Sequence, residues 1–167
     1  VNRDLNGGQA TMKLYLIQHG EAVDKEVDSS RPLTAEGRET VSRVAHFAKQ
    51  AGVTFSAVWH SGKTRATQTA QIVAELFASA SELIEHDGLK PNDDVRAIVR
   101  ELNKIDQDLA IVGHMPHLSR LASRLILDDE KRDILLFQRG GIVALERDAE
   151  GVWRLIWVLT PDLIRPT

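Results

Sequence analysis

Apolar and polar positions fall in blocks along the chain, and the period within each block predicts an element. Leu14 to Ile17 is a short apolar run of the kind a buried strand makes. It leads straight into the polar cluster Gln18-His19-Gly20-Glu21. Thr34 has N-cap chemistry, and Val41, Val44, Ala45 and Ala48 follow it at helical spacing. Ala57-Val58-Trp59 predicts a second short strand. Ser61 is placed to cap a helix carrying Ala66, Ala70, Val73 and Phe77 on one face. A third helix is predicted over Asp93 to Asn103, with Val95, Ile98, Val99 and Leu102 apolar. Leu109 to Val112 reads as another buried strand. Pro116 then opens a helix with Leu118, Leu121, Ala122 and Leu125 in register, because proline is tolerated in a first turn. Ile142 to Leu145 and Trp153 to Leu159 flank the turn "RDAEG" and predict a hairpin.

This alternation predicts an α/β fold, with a largely parallel sheet covered by helices on both faces. Residues 12–161 are expected to form one domain, followed by a tail at 162–167. The stretch "VNRDLNGGQAT", residues 1–11, is polar and without period. It reads as a cloning remnant or a disordered extension, outside the fold. In parallel α/β sheets, ligands sit at the carboxyl ends of strands. His19, Ser61 and His114 each lie just past such an end, so three separate segments deliver polar groups to one edge.

Composition narrows the chemistry. At 167 residues, with 43% hydrophobic and 27% charged positions, the chain has the make-up of a water-soluble globular domain. A net charge of −3 gives no sign of a general nucleic-acid binder. The absence of cysteine excludes disulfides, thiolate metal sites and a cysteine nucleophile. No apolar run reaches the roughly 18 residues of a membrane span, and no secretory pattern is visible. The cytoplasm is therefore the default compartment.

The segments "QHGEA", "DSSRPLT", "HSGKTRATQTA" and "VGHMP" hold two histidines and two arginines, His19, His114, Arg31 and Arg65. Arg65, with Lys63 just before it, stands in the first turn of its predicted helix. Cations there oppose the helix macrodipole by a few tenths of a kcal/mol each. A bound anion would reverse the sign of that cost, since the same helix end attracts it. Guanidinium groups also match phosphate oxygens in pairs. The pattern points to an oxyanion site, most simply one for phosphate.

With those motifs in this order, the chain resembles the small SixA-type phosphohistidine phosphatases of the histidine phosphatase superfamily, the phosphoglycerate mutase-like proteins. The resemblance runs from Met12 to about Pro161. It implies a three-layer α/β/α sandwich with a mixed sheet and a phosphatase that uses no cofactor or metal. His19 is then similar to the nucleophile that takes the phosphoryl group. His114 resembles the second pocket histidine, Arg65 its guanidinium partner, and Arg31 a further phosphate-binding arginine. The family's arginine before the nucleophile is Gln18 here, an uncharged donor that weakens one phosphate contact.

About fifty residues separate Arg65 from His114, and one predicted helix and one strand use most of them. That leaves little room for the helical cap of larger family members. An open pocket suits a phosphorylated side chain on another protein, so the expected partner is a phosphohistidine-bearing signalling protein. Two alternatives stand beside this: a small-phosphoester phosphatase of the same fold, and a phosphate-recognition module with reduced turnover because of Gln18. The general acid stays unassigned among Asp24, Asp28, Glu21 and Asp87. His117 could be read as a metal ligand with Glu21 or Asp24, but His60, His46 and His86 show no ligand spacing. Trp59, Trp153 and Trp157 are expected in core or edge packing, and "LDDEKRD" in a solvated loop.

Overall fold

The computed structural model describes residues 11–77 and 82–164. Residues 1–10, and so nearly all of the expected N-terminal extension, lie outside the described residues. Among those described, the elements run β1 (Met12–Gln18), α1 (Ala35–Gln50), β2 (Ala57–His60), α2 (Thr64–Leu76), β3 (Glu82–Glu85), α3 (Val95–Leu102), β4 (Leu109–Gly113), α4 (His117–Leu127), β5 (Ile142–Arg147) and β6 (Trp153–Leu159). A short 3-10 turn, Pro161–Leu163, follows and packs against α1.

The strands form one six-stranded sheet in the order β3-β2-β4-β1-β5-β6. β3, β2, β4 and β1 are parallel, while β5 and β6 are antiparallel additions. The two-residue period of a strand splits its side chains between two cores. Leu14 and Leu16 of β1 and Leu109 and Ile111 of β4 face α3 and α4, where they meet Ile98, Leu102, Leu118 and Leu121. Tyr15, Ile17, Ala110 and Val112 face the other way, toward Val41, Val44, Ala66, Ala70 and Val73 of α1 and α2. Because both faces are covered, the central strands are apolar throughout, and the result is a three-layer α/β/α sandwich.

The helix starts follow local chemistry. Thr34 caps α1 as expected, its hydroxyl accepting the Gly37 N–H at 2.9 Å. Asp94 caps α3 by accepting from the Arg96 N–H at 2.9 Å, so that helix begins at Val95 rather than Asp93. Ser61 does not cap α2. The N-cap is Lys63, whose side chain makes no capping bond; the Ser61 hydroxyl lies 2.6 Å from His114 Nε2 and accepts the Lys63 N–H at 3.4 Å. The expected elements between Arg65 and His114 also omitted β3, whose four residues are mostly exposed. No described helix beyond α3 lies between α2 and β4. Among the described residues, no helix is long and apolar enough to cross a membrane.

Candidate active site

The strand end that carries His19 rests directly on α1. A Cβ added at Gly20 would come within 2.8 Å of Val41 Cγ2 and 3.0 Å of the Gly37 carbonyl, so only glycine fits. The Thr34 N–H donates to the Glu21 carbonyl, and the His19 N–H to the Gly113 carbonyl, both at 3.0 Å. His19 is thereby fixed past the end of β1 and beside the end of β4. His114 follows β4 directly. The two imidazoles face each other with ring centroids 5.1 Å apart. They are 7% and 1% exposed.

The proton on His19 can be placed from its neighbours. Nδ1 lies 2.7 Å from the Gly20 carbonyl, which can only accept, so Nδ1 carries the hydrogen. Nε2 then holds the lone pair, and the Arg65 Nε–H donates to it at 3.2 Å. Burial lowers the His19 pKa to about 4, with Arg65, Arg139 and Arg31 adding to the effect and the Gly20 carbonyl opposing it. The ring is neutral at pH 7, and its free electron pair is on Nε2.

His114 shares a 2.6 Å hydrogen bond between its Nε2 and the Ser61 hydroxyl. Its Nδ1 is buried without a protein partner. Burial again lowers the pKa, to about 3, followed by His19, Arg65 and Lys63. Such a buried, unsatisfied ring nitrogen is costly unless a ligand completes it. Arg65 is a charged neighbour of both rings, joined by Arg139 and Arg31 at His19 and by Lys63 at His114.

The motif "TRATQTA" does several jobs from one helix face. Arg65, Gln68 and Thr69 are spaced i, i+3, i+4. Thr69 is fully buried; it donates to the Arg65 carbonyl at 2.8 Å and accepts the Gly20 N–H at 3.0 Å. Gln68 accepts the Leu33 N–H at 2.8 Å. One turn of α2 thus fixes Arg65, the backbone beside His19 and the loop that carries Arg31. Burial and Arg31 both depress the Arg65 pKa. Arg31 itself adopts φ of 50°, a left-handed conformation that costs a non-glycine residue on the order of 1 kcal/mol. Its N–H bonds to the Asp28 carbonyl at 3.0 Å, and its Nε to the Val23 carbonyl at 3.2 Å. Strain of this kind gathers at functional sites.

Gln18 is the last residue of β1, and its Oε1 is buried without a partner. Of the carboxylates considered as general acid, Asp28 accepts from both the backbone and the hydroxyl of Ser30, which lowers its pKa and disfavours that role. His117 is fully buried on α4, whereas Glu21 and Asp24 are exposed. Among the described residues, no group of three or more His, Asp or Glu side chains could hold a metal ion. Trp59 and Trp153 are core residues of the α3/α4 side, and Trp157 packs at the edge of the other core. Sequence reasoning missed Gln68, Thr69 and the role of Ser61. The helical spacing of the first two from Arg65 was the available signal.

Comparison with known proteins agrees with this geometry. The family model for the histidine phosphatase superfamily (branch 1) matches residues 14–93. An uncharacterized protein of Picosynechococcus sp. is 32% identical over 149 residues, 83% of this chain and 87% of that protein. The phosphohistidine phosphatase SixA of Escherichia coli K12 is 24% identical over 155 residues, 90% of this chain and 94% of its own. The solved structure of the protein histidine phosphatase SixA complexed with tungstate matches with a TM-score of 0.81 at 24% identity, over 91% of this chain and 99% of that one. An alpha-ribazole-5'-P phosphatase from Escherichia coli matches at 0.71 and 20% identity, over 90% and 97%. The structural likenesses show a shared phosphoglycerate mutase-like fold, and the family-model match, with the 32%-identical relative, shows that the chain belongs to the histidine phosphatase superfamily.

Proposed function

We propose that the protein is a phosphatase that works through a phosphohistidine on His19 and takes its phosphoryl group from a phosphohistidine of a signalling protein. The observation that carries this reading is the state of His19: neutral, its lone pair on Nε2, and that nitrogen in contact with the Arg65 guanidinium. An arriving phosphoryl group draws the Arg65 N–H away from Nε2 onto an oxygen, which frees the nucleophile. The Nε2 lone pair forms an N–P bond while the substrate's own P–N bond breaks, and the departing imidazole takes up a proton from solvent. Charge that develops on the His19 ring is stabilised at Nδ1–H by the Gly20 carbonyl. Water then attacks phosphorus, the N–P bond returns its electrons to Nε2, and phosphate leaves.

Arg65 and Arg31 supply the oxygen contacts, and His114 supplies one if its proton sits on Nδ1 while Ser61 donates to Nε2. The SixA relative was solved with tungstate, a tetrahedral oxyanion like phosphate. The described chain between α2 and β4 holds β3 and α3 only, which favours an open pocket and a protein-borne substrate over an enclosed metabolite. The test is an assay of phosphohistidine protein, phosphohistidine peptide and small phosphoesters, each with and without chelator. The reading expects the phosphohistidine protein to be the best substrate and the chelator to have no effect. Preference for a small phosphoester would move the assignment to the metabolite phosphatases.

A further inference from the structure

β5 runs antiparallel to β1, with Ile142 opposite Ile17, so the start of β5 lies at the same sheet edge as His19. The turn that precedes it is held against β1: the Gly140 N–H donates to the Gln18 carbonyl at 2.9 Å. Gly140 takes a φ of +78°, and the Gly141 N–H closes the turn on the Gln138 carbonyl at 2.9 Å. Arg139 is the residue this turn carries past the end of β1. Its side chain is exposed, and no described carboxylate forms an ion pair with it. The neighbouring Gln18 side chain is neutral and offers a buried acceptor, Oε1, that has no donor. At that position the pocket has no charge of its own.

We propose that Arg139 is an anion-binding residue of the pocket, a third guanidinium beside Arg65 and Arg31 that supplies the positive charge Gln18 lacks. The proposal deepens the phosphatase reading and rests on it for the identity of the anion. Arg139 already acts on His19 as one of the cations that depress its proton affinity, which puts its field at the nucleophile. An exposed arginine without an ion pair is free to turn onto a phosphate oxygen, where its planar fork can donate twice.

The test measures kcat/KM on phosphohistidine protein and the affinity for inorganic phosphate in wild type, Arg139→Ala, Arg139→Lys, Gln18→Arg and Gln18→Arg/Arg139→Ala. Arg139→Ala should lose about ten-fold in both quantities, about 1.4 kcal/mol, at an unchanged melting temperature. Arg139→Lys should recover part of the loss. Gln18→Arg should gain more in the Arg139→Ala background than in wild type, because the two guanidiniums serve one need. Arg139→Ala within about two-fold of an active wild type in both quantities would overturn the proposal and leave the phosphatase reading intact. A wild type without turnover on any phosphorylated substrate would defeat that reading instead, and the phosphate titration would still decide for or against Arg139.

Discussion

Gln18, His19 and Ser61 show how much a single position can decide. The histidine stands directly after a buried strand because β1 holds it rigidly at the sheet edge, with its tautomer set by the next residue's carbonyl. Gln18 stands where the resemblance to the family implies an arginine. A charged donor is worth roughly 1–2 kcal/mol more than a neutral amide. Gln18→Arg should therefore raise kcat/KM on a phosphohistidine substrate by about ten-fold. An arginine variant no better than wild type would mean that position 18 does not touch the phosphoryl group. If wild type binds the substrate without turnover and the variant hydrolyses it, the protein is a recognition module. The meeting of His19, Arg65 and His114 was legible in the sequence because the two histidines follow predicted strand ends and Arg65 opens a predicted helix. Arg139 was not, because it precedes β5, and the rule for strand carboxyl ends is silent on a strand that runs the other way. Ser61 was read as a cap because serine before a helix usually is one, yet its hydroxyl bonds His114 across 53 residues of sequence.

At the scale of elements, the strands and helices with strong periodicity were legible, and the weak ones were not. The core-facing pattern of α1, α2 and α4 and the apolar runs of β1 and β4 leave no alternative placement. β3, with sequence ELIE, escaped notice because an edge strand of four residues with charged ends is stabilised by pairing with β2 rather than by its own pattern. A second device invisible to periodicity is Arg147, at the end of β5 and only 1% exposed. It donates to the Leu102 and Ile105 carbonyls, both at 2.8 Å, and to Asp106 at 2.7 Å. These contacts satisfy the carbonyls left open where α3 ends. Arg147→Ala would remove one donor from each of those carbonyls and from Asp106 and open a void in the core. Because Asp106 is 58% exposed and can be solvated, the expected loss is about 2–3 kcal/mol, read as a drop in the denaturation midpoint at an unchanged slope. A loss below about 1 kcal/mol, the scale of a surface ion pair, would show that water replaces the guanidinium at no cost.

For the whole molecule, the buried histidines shape how stability responds to pH. Four buried histidines, His19, His60, His114 and His117, have pKa values below that of a free imidazole, each with burial as the largest cause. The unfolded chain binds these protons more readily than the folded one, so stability rises with pH through this range. Their contribution is fully present above about 6.5. It is lost as pH falls, for His19 and His114 down to about 4 and about 3. Each group adds up to about 1.4 kcal/mol per pH unit within its window. Denaturation between pH 7 and pH 4 should thus show a steep acid loss, and saturating phosphate should offset part of it by mass action. A flat profile would mean that the rings are protonated in the fold.

The account stands or falls on His19 as the phosphorylated atom's host, so the most direct measurement is rapid-quench mass spectrometry of the protein during turnover of a phosphohistidine substrate. The expected result is an acid-labile phosphoryl group on His19. It should be absent, with no turnover, in His19→Ala; in His114→Ala, which loses only charge stabilisation, the rate should fall about a hundred-fold or more without vanishing. Turnover that survives in His19→Ala would contradict the mechanism outright.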